Sequence, residues 1–258
     1  MLFDAHLHIS DEYNKLDETK AKELIENAEK NNIKYLVSNS TCSRSIEENI
    51  YLMKKYKSII CGIGIFPTEF KTEKDLCYTE LIKNKVIELK KEGYSNRIII
   101  GEVGLDFKEE KSNKDLQQRA LLNILQIAKE NNLYVTIHSR FAVKQIMQIL
   151  EQFDYNKIIM HWFLDSKKYI DKASKLGYFI TIGPKYLYDQ SLVDNIKDVP
   201  KEQILFETDY PATVSGKMHT PEAIKDIFDK YCKDFDVSKE EMQSILEKSF
   251  NKIFTREL

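Results

Sequence analysis

Residues 2–8 read Leu2-Phe3-Asp4-Ala5-His6-Leu7-His8, an apolar run that ends on two histidines one residue apart. Side chains alternate between the two faces of a β-strand, so His6 and His8 point to the same face, with Asp4 one step below them. This placement suits two metal ligands and a carboxylate that supports them. The stretch by itself is equally compatible with two ordinary histidines near a chain terminus.

The segments that follow this strand alternate between helical spacing of apolar residues and short runs rich in β-branched residues. The predicted later strands cover residues 34–38, 59–65, 97–103, 133–138, 157–161, 178–182 and 203–209. The predicted helices cover residues 19–31, 43–56, 75–92, 114–131, 140–152, 221–231 and 238–254, with a shorter helix before residue 177. Eight strands alternating with helices over about 250 residues predict an α/β fold, a (β/α)₈ or TIM barrel, in a single domain that covers residues 1–258.

Polar residues mark the C-terminal ends of five of these strands. The candidates are His6, His8, Glu102, His138, His161 and Asp209. Only a closed barrel gathers the ends of strands one, four, five, six and eight around one axis, so a barrel is favoured over the alternative, a doubly wound open sheet. The chain has 5 histidines, and all but one of them belong to this set, which favours a metal site over scattered polar residues.

Four imidazoles and two carboxylates suit borderline divalent ions such as Zn²⁺, Mn²⁺, Co²⁺ or Ni²⁺, whereas a site that prefers Mg²⁺ usually offers more oxygen ligands. Six ligands are too many for one tetrahedral ion, so we expect a pair of ions, with Glu102 bridging or nearly bridging them. Such a pair activates a water and clamps the attacking and leaving oxygens of a displacement at phosphorus or a carbonyl. The pattern therefore predicts a metal-dependent hydrolase.

The carboxylates of this set also have simpler interpretations. Glu102 could pair with a basic neighbour, but a carboxylate among β-branched residues is costly to bury without a strong cation. Asp209 precedes Tyr210-Pro211, a common position for a turn aspartate. Glu207 has the same strand parity one layer lower, which indicates a supporting or structural acid.

The composition is that of an ordinary soluble protein, with 42% hydrophobic residues and 39 Lys+Arg against 41 Asp+Glu. Because the charges nearly balance, attraction of nucleic acid would have to come from a local patch or from metal ions. The 4 scattered cysteines form no Cys-x-x-Cys pair, and together with the lack of a secretory segment they predict a cytoplasmic protein with reduced thiols. No apolar run approaches the roughly 18 residues of a membrane span. We expect a monomer, and a protein partner is left open.

Five motifs combine these candidates with their neighbours. They are Asp4-Ala5-His6-Leu7-His8, Gly101-Glu102-Val103-Gly104-Leu105-Asp106, Ile137-His138-Ser139-Arg140, His161-Trp162-Phe163 and Glu207-Thr208-Asp209-Tyr210-Pro211. In order and spacing they resemble the signatures of TatD-related metal-dependent deoxyribonucleases of the amidohydrolase superfamily. The resemblance covers the chain nearly end to end and extends to the closing Asn251-Lys252-Ile253-Phe254.

This resemblance implies a hydrolase that cleaves DNA phosphodiester bonds, often from the 3′ end, with two divalent ions among Zn²⁺, Mn²⁺, Ni²⁺, Co²⁺ and Mg²⁺. It implies that all six candidates bind metal, that Asp209 accepts the proton of the attacking water, and that Glu102 is the second catalytic residue. Arg140 would contact the substrate phosphate. The expected partner is DNA, either single-stranded or at its 3′ ends.

The surroundings of the six candidates depart from the family pattern. Phe66 stands where such proteins commonly carry a histidine, Trp162 follows His161 in place of a cysteine, and His219-Thr220-Pro221 replaces an Asn-x-Pro. The changes bear on substrate choice more than on metal binding.

Aromatic residues near the strand ends have two interpretations, either as contacts that stack on bases or as packing over the barrel mouth. They are Phe66, Trp162, Phe163 and Tyr210. Trp162 and Tyr210, with Arg140, are the predicted substrate contacts. The alternative functions are a barrel metallohydrolase that acts on a small-molecule ester, amide or phosphate, and a nuclease or binding subunit that works within a partner complex.

Overall fold

The computed structural model describes residues 1–11, 13–108, 113–164 and 166–254. Eight parallel strands form one sheet in sequential order. They are β1 Leu2–Leu7, β2 Ile33–Asn39, β3 Ile59–Ile63, β4 Ile98–Asp106, β5 Val135–Arg140, β6 Ile158–Met160, β7 Phe179–Ile182 and β8 Ile204–Phe206. A two-stranded antiparallel hairpin, β9 Thr213–Val214 and β10 Lys217–Met218, follows β8.

Helices connect consecutive strands of the sheet, two more follow the last strand, and together they cover the outside of the sheet. They are α1 Glu18–Lys30, α2 Ser43–Lys55, α3 Cys77–Lys91, α4 Lys114–Asn131, α5 Val143–Phe153, α6 Lys167–Lys175, α7 Ser191–Ile196, α8 Ala223–Asp234 and α9 Lys239–Phe254. Each helix buries one apolar face, as Ala21, Leu24, Ile25 and Ala28 do in α1. No helix in the described ranges is both long and apolar enough to span a bilayer.

The sheet closes where the chain after β8 returns to the first strand. The amide of Asp209 donates to the carbonyl oxygen of His6 at 2.9 Å, and the amide of His8 donates to that of Tyr210 at 2.6 Å. Below them, the Thr208 amide and hydroxyl both donate to the Asp4 carboxylate. The predicted TIM barrel is confirmed, and the open sheet is excluded.

Strand lengths differ from the sequence-based prediction at two places that matter for the site. β4 continues three residues further than predicted, to Asp106, because it stays paired with β5 through Leu105 and Asp106. β8 ends three residues earlier, at Phe206, because Asp209 has the left-handed φ of 53° and leaves the strand direction. Helix α7 and the β9–β10 hairpin were not predicted at all.

A glycine permits the close approach of β4 and β5 beside the candidate residues. Gly104 has a φ of 151°, and a Cβ added there would lie 2.0 Å from the carbonyl oxygen of His138. No other residue type can occupy this position without moving β5. The glycine therefore sets how near His138 comes to the carboxylates of β4.

Candidate metal centre

His6 on β1 and His8, the first residue after it, point to the same side, as the period of two predicts. Their Nε2 atoms lie 3.1 Å apart. The Nδ1 of His8 lies 2.9 Å from the carbonyl oxygen of Asn39, and because a carbonyl only accepts, Nδ1 carries the proton of the neutral ring. This contact leaves the lone pair of His8 Nε2 for a cation.

Two carboxylate oxygens lie close to this pair of nitrogens. Glu102 Oε2 lies 3.6 Å from His6 Nε2 and 3.3 Å from His8 Nε2, and Asp209 Oδ1 lies at the same two distances from them. Ligands placed about 2.0–2.2 Å from one tetrahedral ion lie about 3.3–3.6 Å from each other. One donor atom each from His6, His8 and Asp209 falls within 4.8 Å of the others, so the spacing of these three fits a divalent cation. Glu102 Oε2 lies beside the two imidazoles of this group.

The second oxygen of Glu102 faces a different pair of imidazoles. Glu102 Oε1 lies 2.7 Å from His138 Nδ1 and 3.7 Å from His161 Nε2. One donor atom from each of these three residues falls within 4.8 Å of the others. Glu102 thus lies between two groups of donors, with one oxygen directed at each, and it is 2% exposed.

The imidazoles are held in place by further acids. Glu207 lies below His161, with Oε2 2.9 Å from His161 Nδ1, and its Oε1 accepts from the Trp162 amide at 2.9 Å. Asp106 Oδ2 lies 3.2 Å from His138 Nε2 and accepts from Arg140 Nε at 2.8 Å. The orientation of both rings is therefore fixed by carboxylates outside the predicted ligand set.

Asp4 acts differently from the supporting role considered for it. Its carboxylate accepts hydrogen bonds from Thr208 and from the backbone amide of His6, not from an imidazole ring. Burial raises the pKa of Asp4 to about 8, against the effect of these hydrogen bonds. Asp4 therefore joins β1 to the chain after β8 and supports the histidines through the backbone.

The electrostatics of the cluster favour a cation. Burial and the adjacent His161 ring lower the pKa of His6 to about 3, so His6 presents a neutral imidazole, the form that binds metal. Burial also lowers the pKa of His161, but the carboxylates of Glu207 and Asp209 outweigh it and raise the pKa to about 9. For Glu102 burial acts to raise the pKa, and the surrounding histidines hold it well below the usual value.

Asp209 both forms a turn and directs its carboxylate at the candidate metal site, the two interpretations that its sequence position left open. Its carbonyl oxygen accepts from the Ala212 amide at 2.7 Å, which closes a turn, while its carboxylate faces His6 and His8. Aspartate adopts the left-handed backbone more readily than most residues. The turn is what directs this side chain toward β1.

The three predicted substrate contacts separate into two places. Arg140 and Trp162 line a cavity of about 310 Å³ together with His138, His161 and Asp209. Tyr210 lines a different space, a groove of about 460 Å³ that His8 also lines. Phe163 is only 5% exposed, so the stacking interpretation is wrong for this residue and the packing interpretation holds.

Sequence reasoning missed residues around the site that carry no motif. A central cavity of about 330 Å³, which contains His8, Glu102 and Asp209, is also lined by Asp11, Tyr13 and Asn14 from the loop after β1. Strand parity cannot place loop residues. The contact of the Asn39 carbonyl oxygen with His8 could not be predicted either, because every residue type has a backbone carbonyl. His219 is buried beside Tyr188, 3.3 Å from its hydroxyl, and lies outside the donor groups.

Comparison with known proteins places this geometry in context. The model of the family described as TatD related DNase matches residues 3–255. YabD of Bacillus subtilis, named an uncharacterized metal-dependent hydrolase, is 26% identical, and the match covers 98% of this chain and 99% of YabD. Human deoxyribonuclease TATDN3 is 29% identical over 82% of this chain and 78% of its own length.

Solved structures agree on the fold. The crystal structure of YJJV, a TatD homologue from Escherichia coli K12, superposes with a TM-score of 0.85 at 20% identity, covering 99% of this chain and 98% of YJJV. The phosphotriesterase homology protein from Escherichia coli, complexed with phosphate in its active site, gives a TM-score of 0.70 at 11% identity and covers 95% and 94% of the two chains.

Proposed function

Since the chain belongs to the TatD related DNase family of metal-dependent hydrolases, we propose that it hydrolyses phosphodiester bonds of DNA, as an exonuclease. The observation that carries the proposal is that the imidazole nitrogens of His6 and His8 lie 3.1 Å apart, and that one carboxylate oxygen of Asp209 and one of Glu102 each lie 3.3–3.6 Å from both nitrogens. Such spacing supports binding of a divalent cation at the C-terminal mouth of the barrel, where TIM-barrel enzymes carry their active sites.

We assign two cations to the site. His6, His8, Glu102 and Asp209 would hold one, and Glu102, His138 and His161 would hold the other. The two oxygens of Glu102 are directed at different imidazole pairs, which supports a bridging role. The nitrogen-rich donor set suits Zn²⁺, Mn²⁺, Co²⁺ or Ni²⁺ better than Mg²⁺. A bound divalent cation lowers the pKa of a water and withdraws charge from a phosphoryl oxygen.

Three residues of the chain have further roles: accepting a proton, contacting the phosphate and packing against a base. Asp209 accepts the proton of the attacking water at its carboxylate, which borders both the metal donors and the cavity of Arg140 and Trp162. Arg140, whose Nε donates to Asp106 and whose side chain lines the cavities beside the metal donors, contacts the substrate phosphate. Trp162 provides an apolar surface for a base beside it.

The alternative substrate is a small-molecule ester, amide or phosphate. The position of Phe66 favours it. The Phe66 ring centroid lies 4.6 Å from that of His138, and the ring presents an apolar surface to the central cavity. A compact substrate would use the central cavity alone, whereas a polynucleotide would also need the adjoining spaces.

The test is a cleavage assay on end-labelled single-stranded and duplex oligonucleotides with each of the five metals, beside a panel of small phosphate esters, carboxylic esters and amides. We expect metal-dependent release of nucleotides, lost in Glu102→Ala and reduced about 10²–10⁴-fold in Asp209→Asn, the range for loss of a general base. Asp229→Asn, at an exposed carboxylate of α8, is the matched control. Cleavage of no nucleic acid with any metal would contradict the proposal.

A further inference from the structure

The loop between β1 and α1 is fastened to helix α2, and it borders the candidate site. Glu48 accepts from the Leu16 amide at 3.2 Å, from Arg44 Nη1 at 2.8 Å and from the Ser10 hydroxyl. Arg44 Nη2 in turn donates to the Asp11 carbonyl oxygen at 2.6 Å. These bonds attach Ser10, Asp11 and Leu16, on either side of the middle of the loop, to helix α2.

The same loop exposes an aromatic ring at the edge of the metal donors. The Asp11 carboxylate accepts from the amides of Tyr13 and Asn14, each at 2.7 Å, which fixes the backbone while the Tyr13 residue stays 86% exposed. Tyr13 lines the central cavity together with Glu102, and it also lines the neighbouring groove of about 460 Å³. Its ring therefore stands at the junction of the two spaces.

Exposed apolar side chains concentrate at this end of the barrel. Among the described residues, the large exposed hydrophobic side chains are Tyr13, Tyr51, Leu122, Phe141, Tyr188 and Met218. Only Tyr51 and Leu122 lie on helices, and the other four lie on segments that follow strands β1, β5, β7 and β8. Exposed apolar surface at a functional mouth indicates contact with a ligand.

The groove beyond Tyr13 combines aromatic and basic groups. Its lining includes Lys15 and Lys20 as well as Tyr210 and Met218. Asp17 also lines it, but its carboxylate accepts from the Thr19 and Lys20 amides. The Lys20 ammonium lies 3.8 Å from Asp17 with both side chains largely exposed, a surface pair that leaves the lysine available.

We propose that this groove binds the single-stranded segment of the DNA substrate adjacent to the scissile phosphate, with the Tyr13 ring stacking on a base. The inference rests on the proposed function, which puts the scissile phosphate at the metal donors. Basic side chains that follow a backbone, interleaved with aromatic faces, are how proteins bind single strands without reading their sequence. A duplex has its base faces covered by stacking, so Tyr13 selects unpaired ends.

The test measures binding and turnover separately. Binding is followed by fluorescence anisotropy of the metal-loaded protein with a labelled single-stranded dodecamer that has a hydrolysis-resistant phosphorothioate backbone. Turnover is followed with the ordinary phosphodiester strand. The variants are Tyr13→Ala, Tyr13→Phe and Tyr51→Ala, the last as the matched control because Tyr51 is an exposed tyrosine on α2.

We expect Tyr13→Ala to weaken single-strand binding about 10-fold and to raise KM by a similar factor, with a smaller change in kcat. Tyr13→Phe keeps the ring and should stay within about 2-fold of the wild type, as should Tyr51→Ala. Unchanged binding in Tyr13→Ala, or an equal loss in Tyr51→Ala, would overturn the inference. Tyr13-dependent binding without cleavage of the ordinary strand would instead overturn the proposed function and show that the groove binds single strands without presenting them for hydrolysis.

Discussion

The Glu207→Gln substitution tests the role of a buried acid outside the ligand set. By accepting from Nδ1 of His161, Glu207 keeps the lone pair of the ring on Nε2, where a cation can bind. Glu207 is fully buried, and its two oxygens accept from His161 Nδ1 and from the Trp162 amide, both at 2.9 Å. Glutamine has the same size but replaces one acceptor by an NH₂ group. Its oxygen can satisfy one of the two donors, and its NH₂ group is then directed at the other.

The glutamine amide can take either of two orientations, and each of them loses an interaction. If the NH₂ group faces His161, Nδ1 must become the acceptor and the proton of the neutral ring moves to Nε2. Nε2 is the atom that faces Glu102 and Asp209, at 3.7 and 3.8 Å, so the lone pair that would bind the metal is lost. If the NH₂ group faces Trp162, a buried amide loses its acceptor, which costs about 1–3 kcal/mol of stability. Loss of such an outer partner lowers metal affinity about 10–100-fold.

The assay is a competition titration with a metal chelator, together with the thermal unfolding midpoint and ¹⁵N NMR of the histidine side chains. Glu241→Gln, at a partly exposed glutamate paired with Lys201, controls for the loss of one negative charge. If Glu207→Gln binds metal within about 2-fold of the wild-type affinity and its unfolding midpoint is unchanged, Glu207 does not position His161 for a cation.

Three further predictions concern the fold and the substrate contacts. Gly104→Ala should lower the free energy of unfolding by about 3 kcal/mol, because its Cβ would lie 2.0 Å from the His138 carbonyl oxygen at a φ of 151°; denaturant titration with a change under 1 kcal/mol would be inconsistent with this packing. Tyr186→Phe removes the hydrogen bond to Asp234 on α8 and should cost about 1 kcal/mol, measured by thermal unfolding, where an unchanged midpoint would speak against the bond. Arg140→Lys keeps the charge but loses the planar fork, so KM for oligonucleotides should rise about 10-fold at unchanged metal content; equal KM values would remove Arg140 from the phosphate site.

Much of the fold could be predicted because its determinants are local patterns. The β-branched run of β4 and the alternation of strands with amphipathic helices indicate a parallel barrel before any contact is known. The ends of strands were less predictable. The chain leaves strand geometry at Asp209 because its amide bonds to β1 and its backbone turns, and both features depend on barrel closure rather than on neighbouring residues.

The donors of the candidate site were predictable for a related reason. His6 and His8 share a face by strand parity, and a closed barrel brings Glu102 and Asp209 to the same mouth. Contacts made by backbone atoms and by loops were not predictable. The Asn39 carbonyl orients His8 without any signal in residue type, and Tyr13 reaches the site through a loop whose course depends on hydrogen bonds to α2.

The central claim is that four histidines and two carboxylates, on strands β1, β4 and β5 or just after strands β1, β6 and β8, hold divalent cations at one mouth of the barrel. The most direct test is the metal content of the purified protein after saturation and removal of excess metal, measured by elemental analysis, for the wild type and Glu102→Ala. The account predicts two ions per chain in the wild type and at most one in the variant. Fewer than one ion per chain in the wild type, with any of the five metals, would contradict it.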